Sequence, residues 1–287
     1  MHEGQSTYDE RSYEGWQTAS AAWERESSYI RRVGLPVSRW MLQRIAPAPG
    51  MVLLELAGGL GDTALMAAPA LLPGGRVILT DRSPGMVEAA RRRIEGDGVD
   101  NIECRAMDAA SLDLPDGGVD AAVCRWGYML MSDPGRALRE TRRVLRPGGR
   151  LALSVWSTPE QNSWAGVITD RLLDRGLIEP ADPSEPSMFA LDDPQRLQSL
   201  VAASGFADLE LDTVETAWVY GSGEEFWRVQ TAISPTAQKG LARLPDRGVA
   251  EVRAEVVAEM DALREDGAVR LPARCLMLAA RRPQADR

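Results

Sequence analysis

Short apolar runs alternate with longer stretches of helical period through the middle of the chain. The runs are rich in Val, Leu and Ile, as expected of buried strands, and the helical stretches end near glycine or proline. Strands that alternate with helices in this way are typical of a parallel sheet covered on both faces. We therefore predict an α/β fold whose core strands are Val52–Leu56, Arg76–Thr80, Asn101–Cys104, Val119–Cys124 and Arg150–Trp156.

The segments outside this core are predicted to complete the sheet and cover it. Two further strand-like runs, Leu209–Val219 and Cys275–Arg281, flank a long helical stretch, which predicts a seven-stranded sheet with a helical cap inserted before the last strand. The expected regions are an N-terminal helical segment that covers the active site (1–48), a ligand-binding core (49–160), its continuation with an inserted helix and loop (161–222), the cap insertion (223–270), and the last strand and tail (271–287).

Composition narrows the classes of function. The chain has 287 residues, of which 44% are hydrophobic, and a net charge of −9. No apolar run approaches the roughly 20 residues that span a membrane, and nucleic acids are usually bound by basic surfaces. We therefore expect no membrane and no nucleic-acid partner, and the sequence leaves a homodimer open. The three cysteines are widely spaced in apolar contexts, which favours reduced thiols, a cytoplasmic location and no metal site.

A glycine-rich segment joins the first predicted strand to the helix that follows it. It begins at Glu55 and ends at Gly61, and glycines at such a junction let the backbone approach a ligand closely. Glu55 at the strand tip is a carboxylate, which suits a positively charged ligand. Asp81 and Asp108 follow the second and third strands. Because parallel strands end at a common edge, these segments predict a ligand site there.

The same glycines also fit a loose dinucleotide fingerprint, with Asp81 about 20 residues further on. A nicotinamide-dependent oxidoreductase is therefore an alternative. Such enzymes usually need a Tyr-x-x-x-Lys pair or a histidine. The only lysine, Lys239, has Pro235 in place of that tyrosine, and the only histidine is His2, outside the predicted sheet. The hydride-transfer alternative thus lacks its usual catalytic residues.

Residues 51–156 resemble the S-adenosylmethionine-binding core of class I methyltransferases, most closely the ubiquinone/menaquinone-biosynthesis type. The resemblance lies in the ordered segments Glu55–Gly61, Thr80–Met86, Met107–Ala109 and Leu112–Asp120. It implies a Rossmann-like fold, with S-adenosylmethionine as the cofactor and S-adenosylhomocysteine as the product. One departure from the family pattern is Ala57, which stands where glycine is commoner.

The resemblance also implies roles for individual residues. Asp81 would accept hydrogen bonds from both ribose hydroxyls, Met86 would pack against the adenine, and Asp108 would accept from the adenine amino group. The full implied set of cofactor-binding residues is Glu55, Ala57, Gly58, Gly59, Gly61, Asp81, Arg82, Met86, Met107, Asp108, Ala109 and Arg125.

The acceptor side of the reaction is less clearly marked. We expect transfer to an oxygen, nitrogen or carbon atom of a small molecule, mainly by orientation, because the sulfonium donor is already activated. Tyr128, after the fourth strand, is the candidate catalytic residue. An aromatic or natural-product-like acceptor would meet the candidate substrate-binding residues Tyr13, Trp16, Trp126, Tyr128, Trp156 and Trp164. A non-catalytic S-adenosylmethionine-binding protein stays open as a second alternative.

Overall fold

The computed structural model describes residues 3–180, 182 and 185–284, with side chains from residue 8 onward, so that His2 lies outside the described residues. Within these residues, eight strands form one sheet in the order β3-β2-β1-β4-β5-β8-β6, and β7 pairs with β8 at one end. The strands are β1 (Val52–Glu55), β2 (Arg76–Asp81), β3 (Ile102–Ala106), β4 (Val119–Arg125), β5 (Leu145–Trp156), β6 (Ala207–Tyr220), β7 (Arg264–Glu265) and β8 (Ala268–Arg281).

The first five strands are parallel, and β8 lies antiparallel between β5 and β6. β1 is an inner strand, between β2 and β4, and its Leu53 and Leu54 are fully buried, as expected of a strand covered on both faces. The chain order of the strands reverses between β1 and β4. In open parallel sheets, ligands bind at the carboxyl ends of the strands at such a reversal.

Helices cover both faces of the sheet and form the cap insertion. The N-terminal segment forms α1 (Glu3–Arg25) and α2 (Ser27–Ile45). The core helices are α3 (Asp62–Ala67), α4 (Pro84–Gly96), α5 (Pro134–Val144), α6 (Gly166–Asp174) and α7 (Pro194–Ala203). The segment between β6 and β7 contains α8 (Gly223–Ile233), α9 (Pro235–Leu241) and α10 (Asp246–Ala262). α2 packs on β5 and β6 through fully buried Val33, Val37 and Met41, whereas α1 packs on α4.

The architecture confirms the predicted α/β fold, including the N-terminal helices and the helical insertion before the last strand. The sheet differs from the prediction by one strand, because Arg264 and Glu265 pair for two residues with β8. No helix among the described residues combines the length and the apolar character needed to cross a membrane.

Gly75, which ends the connection into β2, has no room for a side chain. A Cβ there would overlap the carbonyl oxygen of Leu71 and lie 2.5 Å from that of Met51, and these are backbone atoms. Gly75→Ala is therefore expected to lower the free energy of unfolding by about 1–3 kcal/mol. Gly96→Ala is the matched control, since nothing lies within 4 Å of its Cβ position. Urea denaturation measures both variants, and equal midpoints for the two would contradict the prediction.

Candidate functional site

The segments singled out in the sequence meet at the carboxyl edge of the central strands. The backbone N–H of Gly58 donates to the carbonyl of Thr80 at 2.9 Å, and that of Met107 donates to the carbonyl of Asp81 at the same distance. These bonds join the loops after β1, β2 and β3 side by side. The structure therefore brings the glycine-rich segment, Asp81 and the Met107–Ala109 segment to one edge, as predicted from the strand order.

The glycine loop, defined as Ala57–Gly61, has an unusual backbone. Ala57, Gly59 and Gly61 have φ angles of 49°, 52° and 76°, in the left-handed region that favours glycine. For Ala57 this conformation costs roughly 1–2 kcal/mol. A Cβ on Gly127 would lie 2.7 Å from the Cβ of Ala57, so the Ala57 methyl faces the turn after β4. On the other side of the loop, nothing lies within 4 Å of the Cβ position of Gly59.

Asp81 connects the glycine loop to the turn before α4. Its Oδ2 accepts from the N–H of Gly59 at 3.0 Å, and its Oδ1 accepts from the N–H of Ser83 at 2.9 Å. Burial raises the pKa of this carboxyl, and the two N–H donors oppose the shift. One carboxylate thus fixes the relative position of two loops and still has lone pairs available for further donors.

Glu55 is directed away from the open side of the loop. It is 2% exposed, and its Oε2 accepts from the N–H of Ala64 in α3 at 2.8 Å. Burial raises its pKa to about 7, although the positive charge of Arg125 and the Ala64 N–H act in the opposite direction. The carboxylate therefore supports the loop from within the protein, which was not expected from its place at the strand tip.

A buried cluster of charged side chains lies next to the glycine loop, and two of its members, Asp62 and Arg93, were not predicted from the sequence. The cluster consists of Asp62, Arg93 and Arg125, and we call it the Asp62 cluster. Arg125 Nη2 donates to Asp62 Oδ2 at 2.8 Å, and Arg93 Nη1 lies 2.7 Å from Asp62 Oδ1. Burial acts against ionisation of Asp62, but the two guanidinium groups outweigh it and lower the pKa. Arg125, expected beside the cofactor, thus pairs with a carboxylate of the chain itself.

Helix α1 lies across the loops after β2 and β4. The side-chain oxygen of Gln17 accepts from Ser83 Oγ at 2.8 Å and from the N–H of Gly85 at 2.9 Å. Asp9 pairs with Arg82 at 3.2 Å, and the Tyr8 hydroxyl donates to the carbonyl of Leu130 at 3.0 Å. α1 therefore lies against this edge of the sheet, and its role as the cover of an active site stays a prediction.

The predicted adenine residues differ in their surroundings. Met86 is buried in a small apolar cluster with Leu60 and Ala89, against which Trp16 and Trp23 of α1 pack. Asp108, by contrast, is exposed, with its Oδ2 3.8 Å from Arg82 Nε. Met86 thus contacts α1, whereas the Asp108 side chain is accessible.

Three of the six aromatic residues expected to bind an acceptor pack against one another. Trp126 stacks on Trp156 with ring centroids 4.3 Å apart, and Trp164 meets Trp156 edge-on at 5.2 Å. Trp156 and Trp164 are buried at 4% and 7% exposure, whereas Trp126 is half-buried and Tyr13 is exposed. The indoles of Trp156, at the end of β5, and Trp164 therefore pack in the interior, and their contacts with each other give them a structural role.

The placement of Tyr128 argues against the expected catalytic role. Its hydroxyl lies 2.7 Å from Thr141 Oγ1 in α5, and the side chain is 1% exposed. Burial raises its pKa well above the usual value of 10. The residue turns back into the core after β4, so its hydroxyl does not face the carboxyl edge and is poorly suited to accept a proton there.

Comparison with known proteins identifies the family. A family model described as a methyltransferase domain matches residues 54–153. The chain is 34% identical to the demethylmenaquinone methyltransferase of Thermus thermophilus over 164 residues. This match covers 54% of this chain and 74% of that protein. The chain belongs to the class I S-adenosylmethionine-dependent methyltransferases of the ubiquinone/menaquinone-biosynthesis type. The matched residues contain the glycine loop, Asp81, Asp108 and Arg125.

Solved structures agree with this methyltransferase fold. The YcgJ protein of Bacillus subtilis superposes with a TM-score of 0.58 at 22% identity, covering 86% of this chain and 98% of that one. The [4+2]-cyclase SpnF superposes with a TM-score of 0.52 at 21% identity, covering 87% and 80%. At these identities the likeness shows the fold alone. Four curated relatives are matched over between 42% and 74% of their length, so their substrates do not transfer directly.

The raised pKa of Glu55 in this methyltransferase predicts a pH dependence that Glu55→Gln removes. A glutamate titrates near 4.5 when unfolded, whereas the folded group keeps its proton until about pH 7. Between these values the folded state binds the extra proton, so stability falls as the pH rises. From pH 5 to pH 8, the stability of Glu55→Gln relative to wild type should increase by about 2–3 kcal/mol.

Chemical denaturation at the two pH values measures this difference. Glu10→Gln, which changes an exposed glutamate, is the control and should follow the wild-type profile. If Glu55→Gln also runs parallel to the wild type, the buried carboxyl is not protonated as described.

Proposed function

We propose that this chain binds S-adenosylmethionine at the carboxyl edge of β1 and β2 and transfers its methyl group to a small molecule. The position of the Asp81 carboxylate is the observation that carries the proposal. Its carboxylate is held by the N–H groups of Gly59 and Ser83, beside the open side of Gly59. A carboxylate has about four acceptor positions, and two are used here. The remaining two suit the paired hydroxyls of a ribose.

The adenine end of the cofactor would meet the loop after β3. The N–H of Ala110 donates to Asp108 Oδ1 at 2.8 Å, which orients the carboxylate, and its other oxygen faces Arg82. We propose that this oxygen accepts from the adenine amino group and that Met107 and Ala109 flank the ring. Met86 joins this surface only when Trp16 and Trp23 of α1 leave room for it.

When bound, the cofactor supplies a methyl group already activated by a positively charged sulfur. The chain's own contribution is then orientation and exclusion of water, and orientation can lower a barrier by roughly 7–11 kcal/mol. Because the Tyr128 hydroxyl is hydrogen-bonded to Thr141 in the core, we propose that the methyl group is transferred without a tyrosine acting as base. The contacts of α1 with Ser83, Gly85 and Leu130 support its role as the cover that keeps water out.

We propose a small aromatic molecule as the acceptor. The Thermus thermophilus relative is named for demethylmenaquinone, and the exposed Tyr13 is available for aromatic contact. The net charge of −9 supports a small molecule over a nucleic acid. The three cysteines are free, which supports a reducing, cytoplasmic location.

Calorimetric titration with S-adenosylhomocysteine tests the cofactor proposal. Micromolar binding is expected for the wild type, and Asp81→Ala should weaken it about ten-fold or more, because hydrogen bonds to a charged group contribute about 1.5–3 kcal/mol. Asp113→Ala, a change of an exposed aspartate, is the control and should bind normally. Binding of NAD in place of S-adenosylhomocysteine would contradict the proposal and favour a nicotinamide-dependent oxidoreductase instead.

A further inference from the structure

The Asp62 cluster joins elements that are far apart in the sequence. Asp62 is the first residue of α3, Arg93 lies in α4, and Arg125 is the last residue of β4. The Asp62 side chain is only 3% exposed, and those of Arg93 and Arg125 are 19% and 10% exposed. A carboxylate in such a place is costly unless it is paired, so its two guanidinium partners determine where it lies.

The two arginines also contact the loops that form the candidate site. Arg93 Nη1 donates to the carbonyl of Leu60, in the glycine loop, at 3.2 Å. The Arg125 guanidinium lies over the Trp126 ring, 4.9 Å from its centroid. Trp126 has a φ of 58°, and the turn that it begins contains Gly127, which faces Ala57. The cluster thus contacts both of the strained backbone segments at this edge.

Arg125 has little freedom to move from this position. Its Nη1 donates to Ser38 Oγ of α2 at 3.2 Å, and Ser38 Oγ in turn lies 2.9 Å from Thr63 Oγ1. A Cβ on Gly34 would overlap the guanidinium, so α2 approaches it directly. A left-handed backbone persists only where surrounding contacts determine it. Here Arg93 of α4 contacts the glycine loop directly, and α2 and β4 hold the Asp62 cluster next to it.

We propose that Asp62 is a positioning residue of this methyltransferase. By holding Arg93 and Arg125 together, it fixes the glycine loop against the turn after β4, so that the cofactor and its methyl group are held in one geometry. The inference rests on the proposed function, because it assigns Asp62 a role in cofactor binding at that site. The Asp62 side chain is 3% exposed, and its two oxygens face the guanidinium groups of Arg93 and Arg125.

The test is S-adenosylhomocysteine affinity in a mutant cycle of Asp62→Asn, Arg125→Met and the double variant. If the loop keeps its binding geometry for only about a tenth of the time in each single variant, the affinity falls about ten-fold, because apparent affinity scales with the fraction of protein able to bind. The double variant should lose no more than the single ones, because both changes break the same contact. Titrations are made well below each melting temperature, with near-ultraviolet circular dichroism confirming the fold.

Glu26→Gln is the matched control for stability. Glu26 is also a buried carboxylate, 2% exposed and paired with Arg25 and Arg228, but it lies at the junction of α1 and α2. The Glu26→Gln variant should be less stable than the wild type but should bind S-adenosylhomocysteine with wild-type affinity. Wild-type affinity in Asp62→Asn, equal weakening in Glu26→Gln, or additive losses in the double variant would overturn the inference alone. Absence of binding to the wild type would overturn the proposed function and the inference with it.

Discussion

The left-handed backbone of the glycine loop is the constraint on which the candidate site depends. Three of its five residues, Ala57, Gly59 and Gly61, have positive φ angles, and one of them carries a side chain. The strain is held by buried polar contacts that converge from several elements. The Asp81 carboxylate accepts from Gly59, the Glu55 carboxylate accepts from Ala64, and the Asp62 cluster lies beneath the start of α3.

The four acidic side chains at this edge of the sheet, Glu55, Asp62, Asp81 and Asp108, face in two directions. Glu55 and Asp62 face inwards and support the loop, whereas Asp81 and Asp108 keep acceptor positions towards the side where a ligand would lie. The difference follows from burial and from the partner that each carboxylate meets. Next to this pair, α1 contacts the loop after β2, where Gln17 accepts from the N–H of Gly85 and Asp9 pairs with Arg82.

Much of the fold and the location of the site could be predicted from the sequence, because alternating strands and helices determine which loops share an edge. The direction of individual side chains could not. Glu55 ends the buried strand β1 and Tyr128 follows β4, but their polar groups turn towards Ala64 and Thr141 inside the protein. Arg93 and Arg125 are 32 residues apart and meet only through Asp62, and no local pattern reveals such a contact. The stacking of Trp126 on Trp156 is likewise a product of packing.

The central claim is that the cofactor binds at the edge of β1 and β2, beneath α1. Amide hydrogen exchange with and without S-adenosylhomocysteine tests it directly, because bound ligand slows local opening. Slower exchange is predicted in residues 57–61 and 81–86 and in α1, with no change at the separate cavity of about 580 Å³ that Trp227, Arg228 and Arg253 help to line. Protection confined to that cavity, with unchanged exchange at the glycine loop, would contradict the claim.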